Sequence, residues 1–452
     1  MGSAMEGAGG RDRQRSLGAR VQRFVAEATT RFGWGLADQT LSSLTNFALT
    51  FIVARSLGAT EFGQFAIALT IYLTCLGLSR AAITSPLSIR FSTRPKPEWQ
   101  EATRSATGSV LVLATFMGLA CLVAAPLVTG QLRGALVAIG ISLPALLLQD
   151  SWRFAFFASG QQFQAFINDL VWAVALLILF IMVSLSPLDE VGWFVAAWGG
   201  ASAIAGAFGA YQARLIPKPR AALRWWRSHR DLSDWFVHEF IAIRGSVQIA
   251  TFAIAAVLGA QAVGALRGGA VLFGASNILV MGLGLVAVPE GVRLLTTSVS
   301  AFHRSMLALS GIVGALALVW GGVLLVLPDS VGAQLLGQTW PAASTLLLPI
   351  ALSTALGSAA LGFTTGLRSL GAAKTIFRAR LFVTAFLLAG VFAGAFIGRS
   401  ALGVAWGDAI ANALSLLVWW WFFHAAMREH GVHQKSTAQE QQPVRYEGNT
   451  DA

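Results

Sequence analysis

Arg244 is the side chain in this sequence best suited to hold an anion. It lies two turns into an apolar run and shares a helical face with Gln248 and Thr251. A guanidinium stays charged at any physiological pH, so at that depth it needs an acid or an anionic ligand. Glu239 is a candidate internal partner; an anionic substrate is the other solution, and the one favoured here. Arg80 ends or lines a second apolar run and offers another cation, although topology alone can hold it at an inner mouth. Asp38 and Glu239 each lie about one turn into an apolar run. Carboxylates there either stabilise the helix macrodipole or bind a cation at the mouth of a cavity. Gln39, Ser43, Asn46 and Thr50 form a polar stripe, and Gln248 and Asn277 add amides elsewhere. Such groups hydrogen-bond sugars, and they also join helices. In Gln149-Asp150-Ser151-Trp152-Arg153 an acid and a base stand three apart, which predicts a local ion pair. Asp408 and Arg267 fall toward outer ends, as packing or vestibule residues.

Signals for soluble catalysis are absent. There is no Gly-rich Walker loop with Lys and Ser/Thr, and His238-Glu239 lacks a second His at zinc-protease spacing. Gly282-Leu283-Gly284 sits in an apolar run and reads as helix packing. Cys75 and Cys121 are far apart among Leu and Ala and read as small hydrophobes. No metal, cofactor or catalytic residue is expected, and the chain is not read as an enzyme.

The elements that must position these side chains are bilayer-length helices. Of 452 residues 55% are hydrophobic and 12% charged, where a soluble domain carries about a quarter charged, and the mean hydropathy is +0.65. About 20 apolar residues cross about 30 Å of hydrocarbon. Twelve runs of that kind are readable, near 34–54, 63–84, 107–128, 134–157, 165–186, 191–212, 236–258, 263–288, 305–327, 342–365, 376–397 and 402–424. The expectation is an all-α, twelve-span polytopic membrane protein.

A cytoplasmic N-terminus puts 26 of the 32 Lys and Arg in cytoplasmic segments and leaves only Arg55, Arg133 and Arg399 in outer connections. The net charge of +11 then reflects topology, not nucleic-acid binding. No signal peptide is evident, and both termini are expected inside a bacterial plasma membrane. The segment Arg224-Trp225-Trp226-Arg227 suits an amphipathic helix on an anionic leaflet.

The sequence also repeats. Trp34…Asp38 and Leu57-Gly58-Ala59 recur 201 positions later as Trp235…Glu239 and Leu258-Gly259-Ala260. Pro86…Arg90 is echoed by Pro289…Arg293, and Leu143-Pro144 by Leu348-Pro349. Two six-helix bundles related by a pseudo-two-fold follow, at 34–213 and 235–424. Residues 1–33 read as a basic cytoplasmic segment, 214–234 as a cytoplasmic linker and 425–452 as a disordered tail.

Val53-Ala54-Arg55-Ser56-Leu57-Gly58-Ala59-Thr60-Glu61-Phe62-Gly63-Gln64-Phe65-Ala66, with its echo at Leu258–Arg267 and the Gln149–Arg153 segment, resembles polysaccharide-export flippases. These are the O-antigen (Wzx-like) branch of the multidrug/oligosaccharidyl-lipid/polysaccharide exporter superfamily. The resemblance implies a V-shaped pair of bundles. It implies transfer of a polyprenyl-pyrophosphate-linked oligosaccharide from the inner to the outer leaflet, as a monomer beside glycan-assembly enzymes. In such a carrier Arg244 and Arg80 would meet pyrophosphate. Gln39, Asn46, Gln248 and Asn277 would meet sugars, and Asp38 or Glu239 a coupling cation. Membrane lipids would hold the polyprenyl tail. Lipid II flippases commonly carry two further helices, which this chain lacks after its twelfth run. A drug/cation antiporter of the same superfamily and a membrane glycosyltransferase or polysaccharide polymerase are the rival readings.

Overall fold

The computed structural model describes residues 33–440 except 35–36, 39, 93, 188–189 and 242–244. Gln39 and Arg244 therefore lie outside the described residues. Contact clustering divides the chain into two units, Met1–Gln248 and Ile249–Ala452. The described residues are helical throughout, with no strand.

In the first unit, α1 spans 40–56 and stops at Leu57-Gly58, where Gly58 is extended (φ −70°, ψ 169°). α2 (Ala59–Ser79) runs through a π-helical stretch, Arg80–Thr84, into α3 (Ser85–Phe91). Then come α4 (Lys96–Ala124), α5 (Gln131–Ala158), α6 (Gln162–Leu185), α7 (Val191–Ala213) and α8 (Ala222–Glu239). α5 is the hub, packed against α2, α3, α4, α6 and α7. Trp152 of α5 is fully buried, as are Trp198 of α7 and Phe62 and Phe65 of α2.

α9 (Gly245–Leu272) begins beside the break between units, followed by α10 (Gly274–Thr297), α11 (Val299–Leu325), α12 (Asp329–Leu336) and α13 (Trp340–Ser344). α14 (Leu347–Ser369), α15 (Ala373–Phe396) and α16 (Ala401–Glu440) complete the second unit. Here α14 is the hub, against α10, α11, α15 and α16. Phe302, Phe363, Trp419 and Phe423 form its core.

Ten of the described helices are long and apolar enough to cross a bilayer. Large side chains point outward from them, among them Leu127 and Leu185 at 83% exposure, a distribution that water would penalise and lipid accepts. The chain is an all-helical, multi-pass membrane protein. The ten, counted among the described residues, do not include α1 or α10. α9 joins two helical pieces across Gly259, whose φ of 81° is open to glycine at little cost. Both Leu-Gly-Ala sequences thus mark a helix break.

The π-helical stretch has a covalent origin. Pro86 has no N–H to give the carbonyl of Ala82, four residues earlier. Ser233 of α8 donates its hydroxyl to that carbonyl at 2.7 Å. α8 also buries Trp225 and His229 beside Phe91 and turns Leu223, Trp226, Arg224, Arg227 and Arg230 outward. Arg90 binds Asp231 and donates to the carbonyl of Ser228 at 2.9 Å; Lys218 binds Glu101 at 2.7 Å. The expected linker ended at 234. α8 runs to Glu239, which places Trp235 and Glu239 in its last turns.

Two stability predictions follow from this packing. α15 and α16 approach so closely that a Cβ on Gly407 would stand 2.1 Å from the carbonyl oxygen of Gly390. Gly407→Leu should cost about 1–3 kcal/mol, read as a lowered unfolding temperature in detergent, and an unchanged melt would contradict the contact. Burial holds the His229 imidazole below its ordinary value, with Arg90 adding in the same direction. The neutral ring favours the docked state, so this contribution is present above the unfolded value of about 6.5 and is lost as pH falls through it. Amide hydrogen exchange in α8 should accelerate on acidification, and His229→Gln should blunt that response.

Candidate functional site: a buried ionic cluster on α5

Residues 149 and 153 are four apart and share one face of α5, while Asp150 points about 100° away. That divergence decides their partners. Arg80, at the start of the π-helical stretch, forks onto Asp150, with Nε 3.0 Å from Oδ2 and Nη2 2.5 Å from Oδ1. Arg153 turns the other way. Its Nε donates to Asp38 Oδ2 at 2.7 Å, its Nη2 binds the same oxygen, and Asp169 Oδ2 lies 3.4 Å from Nε. The expected Asp150–Arg153 pair therefore gives way to two longer-range pairs, since bidentate partners on other helices satisfy more of each group. Phenyl rings lie against both guanidinium groups, Phe154 5.1 Å from Arg80 Cζ and Phe157 5.5 Å from Arg153 Cζ.

Amides extend the cluster into α6 and α7. Gln149 Nε2 donates to Asp169 Oδ1 at 2.8 Å and to Asn168 Oδ1 at 3.3 Å. Asn168 Nδ2 donates to the Ala205 carbonyl at 2.9 Å and to Gln212 Oε1 at 3.0 Å. Asp38 and Asn168 are wholly enclosed, and Asp169 is 2% exposed. Asp38 Oδ1 is buried with no hydrogen-bond partner among the described residues. Among the described residues the cluster holds three carboxylates (Asp38, Asp150, Asp169) and two guanidinium groups (Arg80, Arg153). An unbalanced charge is costly in such a place, so the cluster has room for one proton or one monovalent cation.

Sequence reasoning selected Asp38 and Arg80, and α5 brings both into this cluster. It assigned Arg153 to a local pair and passed over Asn168 and Asp169. The signal was present, because Asp169 is an acid inside an apolar run, the criterion that singled out Asp38. The remaining candidates are dispersed. Asn46 is exposed and donates to the Ser42 carbonyl at 2.8 Å, Asn277 is exposed on α10, and Glu239 is exposed at the end of α8. Gln248 is half-buried on α9, its Oε1 without a hydrogen-bond partner among the described residues. Arg267 is exposed on α9 with no acid paired to it among the described residues. In the second unit Asp408 accepts the Ser353 hydroxyl proton, and Asn412 Nδ2 donates to Ser353 Oγ at 3.1 Å. No group of three or more His, Cys, Asp or Glu positioned for a metal ion occurs among the described residues.

No family model matches the chain, and no curated protein matches it. Solved structures do. A multidrug resistance MATE family transporter of the MOP superfamily is 11% identical, with 87% of this chain and 98% of that chain covered and a TM-score of 0.66. Lipid II flippase MurJ is 10% identical over 91% of this chain and 93% of that one, with a TM-score of 0.65. A crystal structure of MATE in complex with MaD3S is 13% identical, covering 89% and 95%, at a TM-score of 0.52. The fold is that of MOP-superfamily transporters. At these identities the likeness is one of fold, and the neighbours are transporters and flippases, not enzymes.

Removing Arg153 strands two buried carboxylates. Arg153→Ala should destabilise the protein by about 3–5 kcal/mol, and Arg153→Lys, which keeps the charge but loses the planar fork, should recover only part of that. Thermal unfolding of the purified protein measures it; full recovery by Lys would show that charge alone matters.

Proposed function

We propose that the chain is a flippase that carries a polyprenyl-pyrophosphate-linked oligosaccharide from the inner to the outer leaflet of a bacterial plasma membrane. The chain would comprise two six-helix bundles, 34–213 and 235–424, and work by alternating access, with both termini cytoplasmic. The observation that carries this reading is a membrane-embedded guanidinium, Arg267, with no acid paired to it among the described residues, in a chain whose fold is shared with a lipid II flippase. A pyrophosphate is the kind of ligand such a cation awaits. Arg244 remains a second candidate. Arg80, half-exposed at 36% while bound to Asp150, would present its free edge. Gln39, Asn46, Gln248 and Asn277 would hydrogen-bond sugars, and the polyprenyl tail would stay in lipid. With the inside negative, 100 mV favours outward movement of each negative charge by about 2.3 kcal/mol, so ATP is not required.

Drug/cation antiport is the second reading. The surplus carboxylate of the Asp38–Arg153–Asp169 cluster favours it, because a site that takes up one proton can exchange that proton for a cation. The likeness to MATE transporters supports it equally.

Reconstituted protein assayed for leaflet transfer of a fluorescent polyprenyl-pyrophosphate glycan separates the two. The expectation is transfer that falls roughly 10-fold or more in Arg267→Ala and in Arg244→Ala, the loss of one charge-assisted contact of about 1.5–3 kcal/mol. Protein that moves small organic cations and ignores the glycolipid would overturn the flippase reading.

A further inference from the structure

His303, in the second turn of α11, and His424, past the midpoint of α16, meet at their Nε2 atoms. Their Nε2 atoms are 3.1 Å apart and the rings stand at 88°. His424 Nδ1 lies 2.8 Å from the Trp420 carbonyl. A carbonyl only accepts, so Nδ1 carries the proton and the Nε2 lone pair of His424 faces His303. His303 stacks flat on Phe423, with centroids 5.8 Å apart and an angle of 6°. His424 is flanked by Trp420 at 4.6 Å and Phe363 at 6.5 Å. Both rings are thus fixed by aromatic packing, one of them with its tautomer set by a backbone hydrogen bond. An outer hydrogen bond of that kind commonly orients a histidine that ligates a metal.

The spacing fits chelation. With metal–nitrogen bonds of about 2.05 Å, two imidazole nitrogens lie about 2.9 Å apart when they subtend a right angle and about 3.4 Å apart at the tetrahedral angle. The observed 3.1 Å falls between these limits. Only the His303 proton stands in the way, and moving it from Nε2 to Nδ1 is a tautomer change with no net change of charge. Both Nε2 lone pairs are then available at this separation.

We propose that His303 and His424 form a two-histidine site for a divalent late-transition-metal ion such as Zn²⁺ or Ni²⁺, which staples the start of α11 to the middle of α16. Imidazole selects such ions, and the absence of carboxylate ligands among the described residues disfavours Mg²⁺ and Ca²⁺. Both rings are only partly buried, so water can complete the coordination. Two protein ligands make the ion exchangeable, suited to adjusting the stiffness of the second unit and not to building it. The site is independent of the identity of the transported substrate.

The test is calorimetric titration of Zn²⁺ and of Ni²⁺ into the full-length protein in detergent, prepared without an added histidine tag. One ion per chain is expected, accompanied by a rise in melting temperature. His303→Phe keeps the stack on Phe423 while deleting a ligand, and it should abolish both effects, as should His424→Gln. The double change His430→Ala, His433→Ala should leave both intact. Failure to bind either ion would overturn the proposal. So would binding that survives His303→Phe and His424→Gln, or binding that disappears with His430 and His433. Circular dichroism distinguishes loss of ligand from loss of fold, and X-ray absorption of the Ni²⁺-loaded wild type, with two imidazole ligands expected, decides the matter if either variant unfolds.

Discussion

Arg153 constrains the first unit more than any other side chain. Its guanidinium is 10% exposed within a membrane helix and must be neutralised from elsewhere in the fold. Asp38, just before α1, and Asp169, on α6, supply that charge. Gln149 and Asn168 then tie Asp169 to α5 and α7. Three helices and the approach to a fourth are thereby held in register by one ionic group and its amides. Apolar packing cannot set register as strictly, because lipid solvates Leu and Val about as well as another helix does. A polar group without its partner in that environment has no such alternative.

Backbone chemistry imposes a second constraint at the end of α2. Pro86 leaves the Ala82 carbonyl without its helical donor, and the π-helical stretch there starts at Arg80, which clamps Asp150. Ser233 meets the orphan carbonyl from α8. The surface helix is therefore hydrogen-bonded to the same irregular turn that presents one of the cluster's two cations. Ala82, whose carbonyl α8 holds, stands only two residues from Arg80.

The sequence made the helices legible because twenty-residue apolar runs have few other uses. The breaks at Leu57-Gly58 and Leu258-Gly259 were readable too, through their repetition. The partners of charged groups were not. Asp150 and Arg153 are three apart, and on an isolated helix they would pair; only the packing of α5 against α2 and α6 shows that each has a better partner. Trp235 and Glu239 mirror Trp34 and Asp38 in the sequence. The two acids nonetheless have opposite surroundings, Asp38 enclosed and Glu239 exposed. A repeat preserves the chain path more faithfully than the environment of each residue. The histidine pair joins positions 121 apart with no local pattern, so no sequence signal marked it.

The account rests on the Asp38–Arg153 contact as a coupled pair and not as two independently tolerated charges. A double-mutant cycle on unfolding free energy, using Asp38→Asn, Arg153→Gln and the combination, measures this directly. The prediction is strong coupling, with the double variant less destabilised than the sum of the singles by at least about 1.5 kcal/mol. Additive effects would contradict it, and the first unit would then be organised by its apolar core alone.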